Sequence, residues 1–139
     1  MAVIKSQDLR DMSGAVEVPI PDSTAAVKMH RLHTWENGTS VMIVNFPAGW
    51  SRPVDGSYEC AEEFFVFEGE LQMSGDTVVA GDHTWVPPHS LRIGAFTPNG
   101  AVALAWFYGA PKWNRREGAE GSITQIKTQI KTEFSNLRL

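Results

Sequence analysis

A few side chains of this 139-residue chain can do acid–base chemistry. Glu62 opens the run Glu-Glu-Phe-Phe-Val-Phe-Glu, which reads as a strand with one face in a core. A carboxylate turned into that core is a candidate general acid or base. Its plainer role is one half of a structural ion pair. Glu63 has the opposite parity and is expected to face away. Tyr58 can donate a proton or a hydrogen bond to a substrate, or simply pack. Asp55 and Ser57 flank Gly56, share parity, and are candidates for the mouth of a pocket. His89, just after Pro87-Pro88, is a candidate proton carrier near neutral pH. His30 and His33 are three apart, so on a strand they face opposite ways, and His83 begins another strand. One of the first pair can join His89 and Glu62 in an unconventional metal site, although a lone histidine is more often a surface or core residue. Trp50, Trp85 and Trp106 can wall an apolar pocket for a ring-containing or hydrophobic ligand, with plain core packing as the alternative. Cys60 is the only cysteine, which excludes an intramolecular disulfide and a cysteine-based zinc site. No basic neighbour in sequence activates its thiol.

These residues lie on short apolar runs punctuated by twelve glycines and eight prolines, the texture of an all-β barrel or sandwich. Residues 1–25 read as an extended lead-in packed along an edge. Strands are expected over 26–35 and 39–46, joined by a turn at Glu36-Asn37-Gly38, because Asn-Gly is a strong hairpin signal. Further strands are expected over 62–68, closed by Gly69, and over 70–73, 77–80, 83–86 and 91–96. Residues 101–108 read as a nearly continuous apolar strand buried on both faces. After Gly109 the chain turns polar. Residues 110–121 read as a loop, and Ser122 can cap a helix whose Ile123, Ile126, Ile130, Phe134 and Leu137 form one apolar stripe. That stripe either packs back on the barrel or makes a subunit contact, and a homodimer is compatible with it. The division is thus 1–25 lead-in, 26–109 barrel, 110–139 loop and helix.

With 42% hydrophobic and 20% charged residues the composition is that of an ordinary globular domain. The net charge of −4, with no basic cluster larger than Arg115-Arg116, argues against nucleic acid as a partner. No apolar run approaches the ~20 residues needed to span a membrane, and no secretory signal is visible. A reducing, cytoplasmic location is the expectation.

Two segments resemble the paired motifs of the cupin superfamily. Gly49 is followed after five residues by Asp55-Gly56-Ser57, after four more by Glu62 and after six more by Gly69. This is the spacing of a family motif with His-x-His where Asp55-Gly56-Ser57 stands. In the second, Gly81 leads after five residues to Pro87. His89, Arg92 and Phe96 stand where the family has glycine, histidine and asparagine. The resemblance covers about the middle half of the chain. It implies an antiparallel cupin-type β-barrel of jelly-roll kind, here with a C-terminal α-helix, that binds one small molecule inside. It also implies a divalent metal at positions occupied here by Asp55, Ser57, Glu62 and Arg92. A guanidinium cannot coordinate and repels a metal, but pairs well with a carboxylate. Arg92 therefore replaces the metal's charge, with Glu62 or Asp55 as partner or an anionic or carbonyl guest. No cofactor is expected.

Three functions follow. The first is a metal-independent isomerase, cyclase or lyase acting on a small carbonyl or carboxylate compound, with Glu62 or His89 moving a proton and Arg92 steadying negative charge on oxygen. The second is a binding or sensing module without chemistry. The third is a metal-dependent, dioxygenase-like enzyme using His89, Glu62 and His30 or His33.

Overall fold

The computed structural model describes residues 1–116; the expected helix over 122–137 lies outside them. In chain order the elements are α1 (Ser6–Arg10), β1 (Val16–Val18), β2 (Val27–Thr34), β3 (Ser40–Phe46), β4 (Ser51–Arg52), β5 (Gly56–Tyr58), β6 (Glu62–Met73), β7 (Asp76–Val79), β8 (His83–Val86), β9 (Ala95–Phe96), β10 (Ala101–Phe107) and β11 (Trp113–Arg115). Nine strands form one curled antiparallel sheet in the order β1-β2-β3-β10-β6-β9-β4, with β7 and β8 also paired to β6. A ribbon of β5 and β11 completes the described residues.

The lead-in does lie along an edge: β1 pairs with β2, the outermost long strand. It also carries the one-and-a-half-turn helix α1, which its weak apolar pattern did not reveal. The expected hairpin joins β2 to β3. There Asn37 Oδ1 accepts the Thr39 N–H at 3.0 Å, and Gly38 takes a φ of +88°.

The runs expected as separate strands over 62–68 and 70–73 are one strand, β6, that bends. Its first half pairs with β10 and β8, its second with β7 and β9. Opposite Val102–Ala103 the register slips by one, leaving Phe67 as the extra residue of a bulge. Gly69 follows at φ +74°, and a Cβ there would stand 2.0 Å from the Gly100 carbonyl oxygen. Only glycine permits this approach, and through it the strand turns from one side of the barrel to the other.

β10 is not buried on both faces. Ala101, Ala103, Ala105 and Phe107 point into the barrel and are buried, while Val102, Leu104 and Trp106 are half-buried outside. Three alanines on the inner face of a central strand leave space that leucines would fill. The core around them comprises Val27, Met29, Met42, Val44, Phe64, Val66, Leu71, Val78 and Val86. The strand expected over 91–96 is shorter, Ala95–Phe96 only. The loop expected over 110–121 contains β11, which pairs Trp113 with Tyr58 and Arg115 with Gly56.

Gly69→Ala is expected to cost more than about 2 kcal/mol, since it adds a backbone clash to the left-handed strain. Gly81→Ala, at φ +93° with nothing near its Cβ, is expected to cost only about 1 kcal/mol. Denaturant midpoints of the two variants check the difference.

Candidate functional site

Glu62 is the first residue of β6, paired on its two sides with Val86 and Phe107. Strand parity turns it into the barrel together with Phe64 and Val66, and it is only 7% exposed. Arg92, 8% exposed, is placed by an isolated antiparallel bridge to Gly56, in which its N–H donates to the Gly56 carbonyl at 2.8 Å. Its Nη1 donates to Glu62 Oε1 in a short, buried ion pair. The guanidinium carbon lies 4.7 Å from the centre of the Tyr58 ring. Tyr58 is held in turn by ring contacts with Phe107 and Trp113, at centroid separations of 5.2 and 5.1 Å.

A second buried cation stands beside this pair. Arg52, 4% exposed, donates from Nη2 to Tyr58 Oη at 2.8 Å. Its guanidinium carbon sits 3.8 Å from the centre of the Trp113 ring, a close cation–π contact. Trp113 is fixed by Asp22, which accepts its Nε1–H at 2.9 Å and the Arg115 Nε–H at 2.9 Å. The Arg115 hydrogen bonds hold the Asp22 carboxyl below its ordinary range. Gly56 makes room for the indole, since a Cβ there would lie 2.4 Å from it. Arg52, Trp113 and Asp22 were not legible as site residues. The one available signal was an arginine inside the Gly49–Asp55 interval of the first motif.

Between these groups and the alanines of β10 lies a cavity of about 70 Å³, lined by Arg52, Tyr58, Glu62 and Arg92. Apolar side chains complete its wall, among them Met29, Val44, Phe46, Trp50 and Leu71.

No protein-family model matches the chain, and no curated protein sequence matches it. Solved structures do. An acetylacetone dioxygenase from Acinetobacter johnsonii is similar at a TM-score of 0.66 and 18% identity, over 95% of this chain and 91% of that one. A protein provisionally named as an acetylacetone dioxygenase, from Methylibium petroleiphilum, is similar at 0.63 and 20%, over 87% of this chain and 95% of that one. A cupin-like protein from Thermotoga maritima is similar at 0.54 and 19%, over 72% and 83%. The fold is that of the cupins.

The cupin fold raises the question of a metal, and the residues present do not fit one. Of the four positions matching the family's ligands, only Glu62 and Arg92 meet in the cavity, and Arg92 occupies the carboxylate's coordination space with a permanent cation. Asp55 is turned away. The parity that lines the cup interior is that of Gly56 and Tyr58, so Asp55 and Ser57 project to the other side of β5, contrary to their expected place at the mouth. Asp55, 1% exposed, has Oδ2 3.7 Å from Arg116 Nη1. Among the described residues no three of His, Cys, Asp or Glu converge on one point.

The histidines lie elsewhere. β2 carries a bulge between Arg31 and His33, so His30 pairs with Ile43 and His33 with Val41. The two therefore share a face after all, and it is the outer one, opposite the inward-facing Met42 and Val44. His89, expected as a pocket acid or base, is exposed. Pro87-Pro88 ends β8, and His89 turns to φ +61° with its N–H donating to the Tyr58 carbonyl at 2.8 Å. His83 Nε2 meets Glu63 Oε2 at 2.9 Å on the outer face, where the Tyr108 hydroxyl also donates to Glu63. The Tyr108 hydrogen bond first, and His83 second, lower the Glu63 pKa. Trp85 and Trp106 belong to that outer face, so only Trp50 of the three candidate tryptophans lines the cavity. Cys60 is buried, and desolvation pushes its thiol pKa up, with the Glu62 charge adding to the effect.

Burial raises the Asp55 pKa above its ordinary 3.8, against the opposing pull of Arg116. Between those two values the folded chain keeps a proton that the unfolded chain has released. Stability therefore falls as pH rises through that window, and the penalty is complete above it. Asp55→Asn is expected to raise the melting temperature by a few degrees at neutral pH and to give no gain below 3.8. Thermal melts across pH check this.

Proposed function

We propose that this cupin-fold barrel binds a small carbonyl or carboxylate compound and moves a proton on it without a metal. The observation that carries the reading is the buried Glu62–Arg92 pair opening on an apolar cavity. An ionised carboxylate is a base, and the dry wall around it strengthens its interaction with a bound molecule. Glu62 takes a proton from the carbon next to a carbonyl, and the C–H electron pair moves onto the carbonyl oxygen. Arg92 faces that developing charge with its Nε–H, which has no protein partner. Return of the proton to another carbon completes an isomerisation; loss of a β-substituent completes an elimination. Neither needs an oxidant or a redox cofactor.

The names of two fold neighbours favour a second reading, a metal-dependent dioxygenase for a β-diketone. Its difficulty is the donor set, in which a guanidinium holds the one inward carboxylate.

Elemental analysis of protein purified without chelator separates the two. Substoichiometric transition metal is expected. About one equivalent per chain, together with oxygen uptake in the presence of acetylacetone, overturns the proposal. For the chemistry, α-proton exchange of 3-pentanone in deuterium oxide can be followed by NMR. The protein is expected to accelerate it, and Glu62→Gln to remove about 100- to 10,000-fold of the acceleration.

A further inference from the structure

We infer that the cavity recognises a monoanion with a short apolar body, and that Arg52 is the residue that reads its charge. This deepens the reading above by naming the substrate class, and it rests on the same cavity being the binding site.

Two guanidinium groups line the cavity and one carboxylate does. Glu62 is committed to Arg92. Among the described residues Arg52 has no carboxylate within ion-pair range, although it is 4% exposed. Asp22 feels the Arg52 charge only weakly, and its carboxylate is engaged by Arg115 and by the indole N–H of Trp113. The Trp113 face and the Tyr58 oxygen partly replace water around Arg52, but neither carries a full negative charge. A buried cation so placed has a net attraction left for an anion.

The hydrogen-bonding groups agree with the charge. Arg52 Nε is buried and without a partner. Tyr58 Oη accepts from Arg52, so its own proton remains available to donate. A carboxylate has up to four acceptor sites and can take these donors together. The rest of the wall offers no polar partner, which suits an alkyl or aryl body and disfavours a second charge. Arg92, neutralised by Glu62, is left for the reacting oxygen; Arg52 supplies recognition.

The test is calorimetry with matched pairs of probes: butyrate against butyramide, and benzoate against benzamide. The carboxylates are expected to bind roughly tenfold to hundredfold more tightly than the neutral amides of equal shape. Arg52→Met is expected to erase that ratio, and Arg52→Lys to keep part of it. Glu62→Gln is expected to tighten carboxylate binding while it abolishes proton exchange on 3-pentanone. Equal binding of acid and amide by the unaltered protein overturns the inference, as does a ratio unchanged in Arg52→Met. The wild-type ratio decides the matter even if a variant fails to fold. Absence of accelerated exchange in the unaltered protein, with the carboxylate preference intact, sinks only the catalytic reading, whereas catalysis of exchange without a charge preference sinks only this one.

Discussion

Among the described residues two permanent positive charges line the barrel cavity, largely out of reach of bulk water, and one carboxylate lines it with them to offset them. Breaking a buried ion pair costs about 3–5 kcal/mol in typical proteins, because the remaining charge is stranded. The Glu62–Arg92 pair is thus held together by its surroundings as much as by its own attraction. The same low dielectric makes Arg52 dependent on substitutes for water: the Trp113 face and the Tyr58 oxygen. The placement of the remaining polar elements around the cavity serves these three side chains.

That dependence explains why elements distant in sequence converge on one end of the barrel. Asp22 in the lead-in grips Trp113 and Arg115 on β11, more than ninety residues later. β11 pairs with β5, and β5 is bridged to Arg92. The short ribbon therefore carries contacts from both ends of the described chain to the charged cluster. Gly56 lies at its centre, where a side chain would collide with the indole that shields Arg52. A residue that sits between two ligand positions of the family motif serves here as the clearance for a cation–π contact.

The cavity itself follows from two features of the sheet. Alanines at 103 and 105 withdraw bulk from the inner face of β10, and the bulge at Phe67 with Gly69 bends β6 around the space. A pocket made this way is mostly aliphatic and aromatic, so its few polar groups dominate what it can hold. The outer face carries its own polar cluster of Glu63, His83 and Tyr108, separated from the cavity by strand parity alone.

Local sequence determined much of this. Glycine and proline punctuation, the Asn37-Gly38 turn and the two spaced motifs were enough for an antiparallel barrel, for an inward Glu62 and an outward Glu63, and for Arg92 at the position where the resembled motif has a histidine. These depend on period-two parity and on turn chemistry, which neighbouring residues decide. Parity failed wherever the ladder was irregular: the β2 bulge put His30 and His33 on one face, and the turn after Pro87-Pro88 carried His89 out to solvent. Tyr58 faces the cavity, whereas Asp55 and Ser57, which the motif spacing puts at its mouth, do not line it. Arg52, Trp113 and Asp22 belong to the site only because β4, β11 and the lead-in meet in space. The sequence alone therefore determined the barrel and one half of its charged centre. The tertiary structure decided the second cation, because a charge's partners are set by long-range contacts that no local pattern encodes.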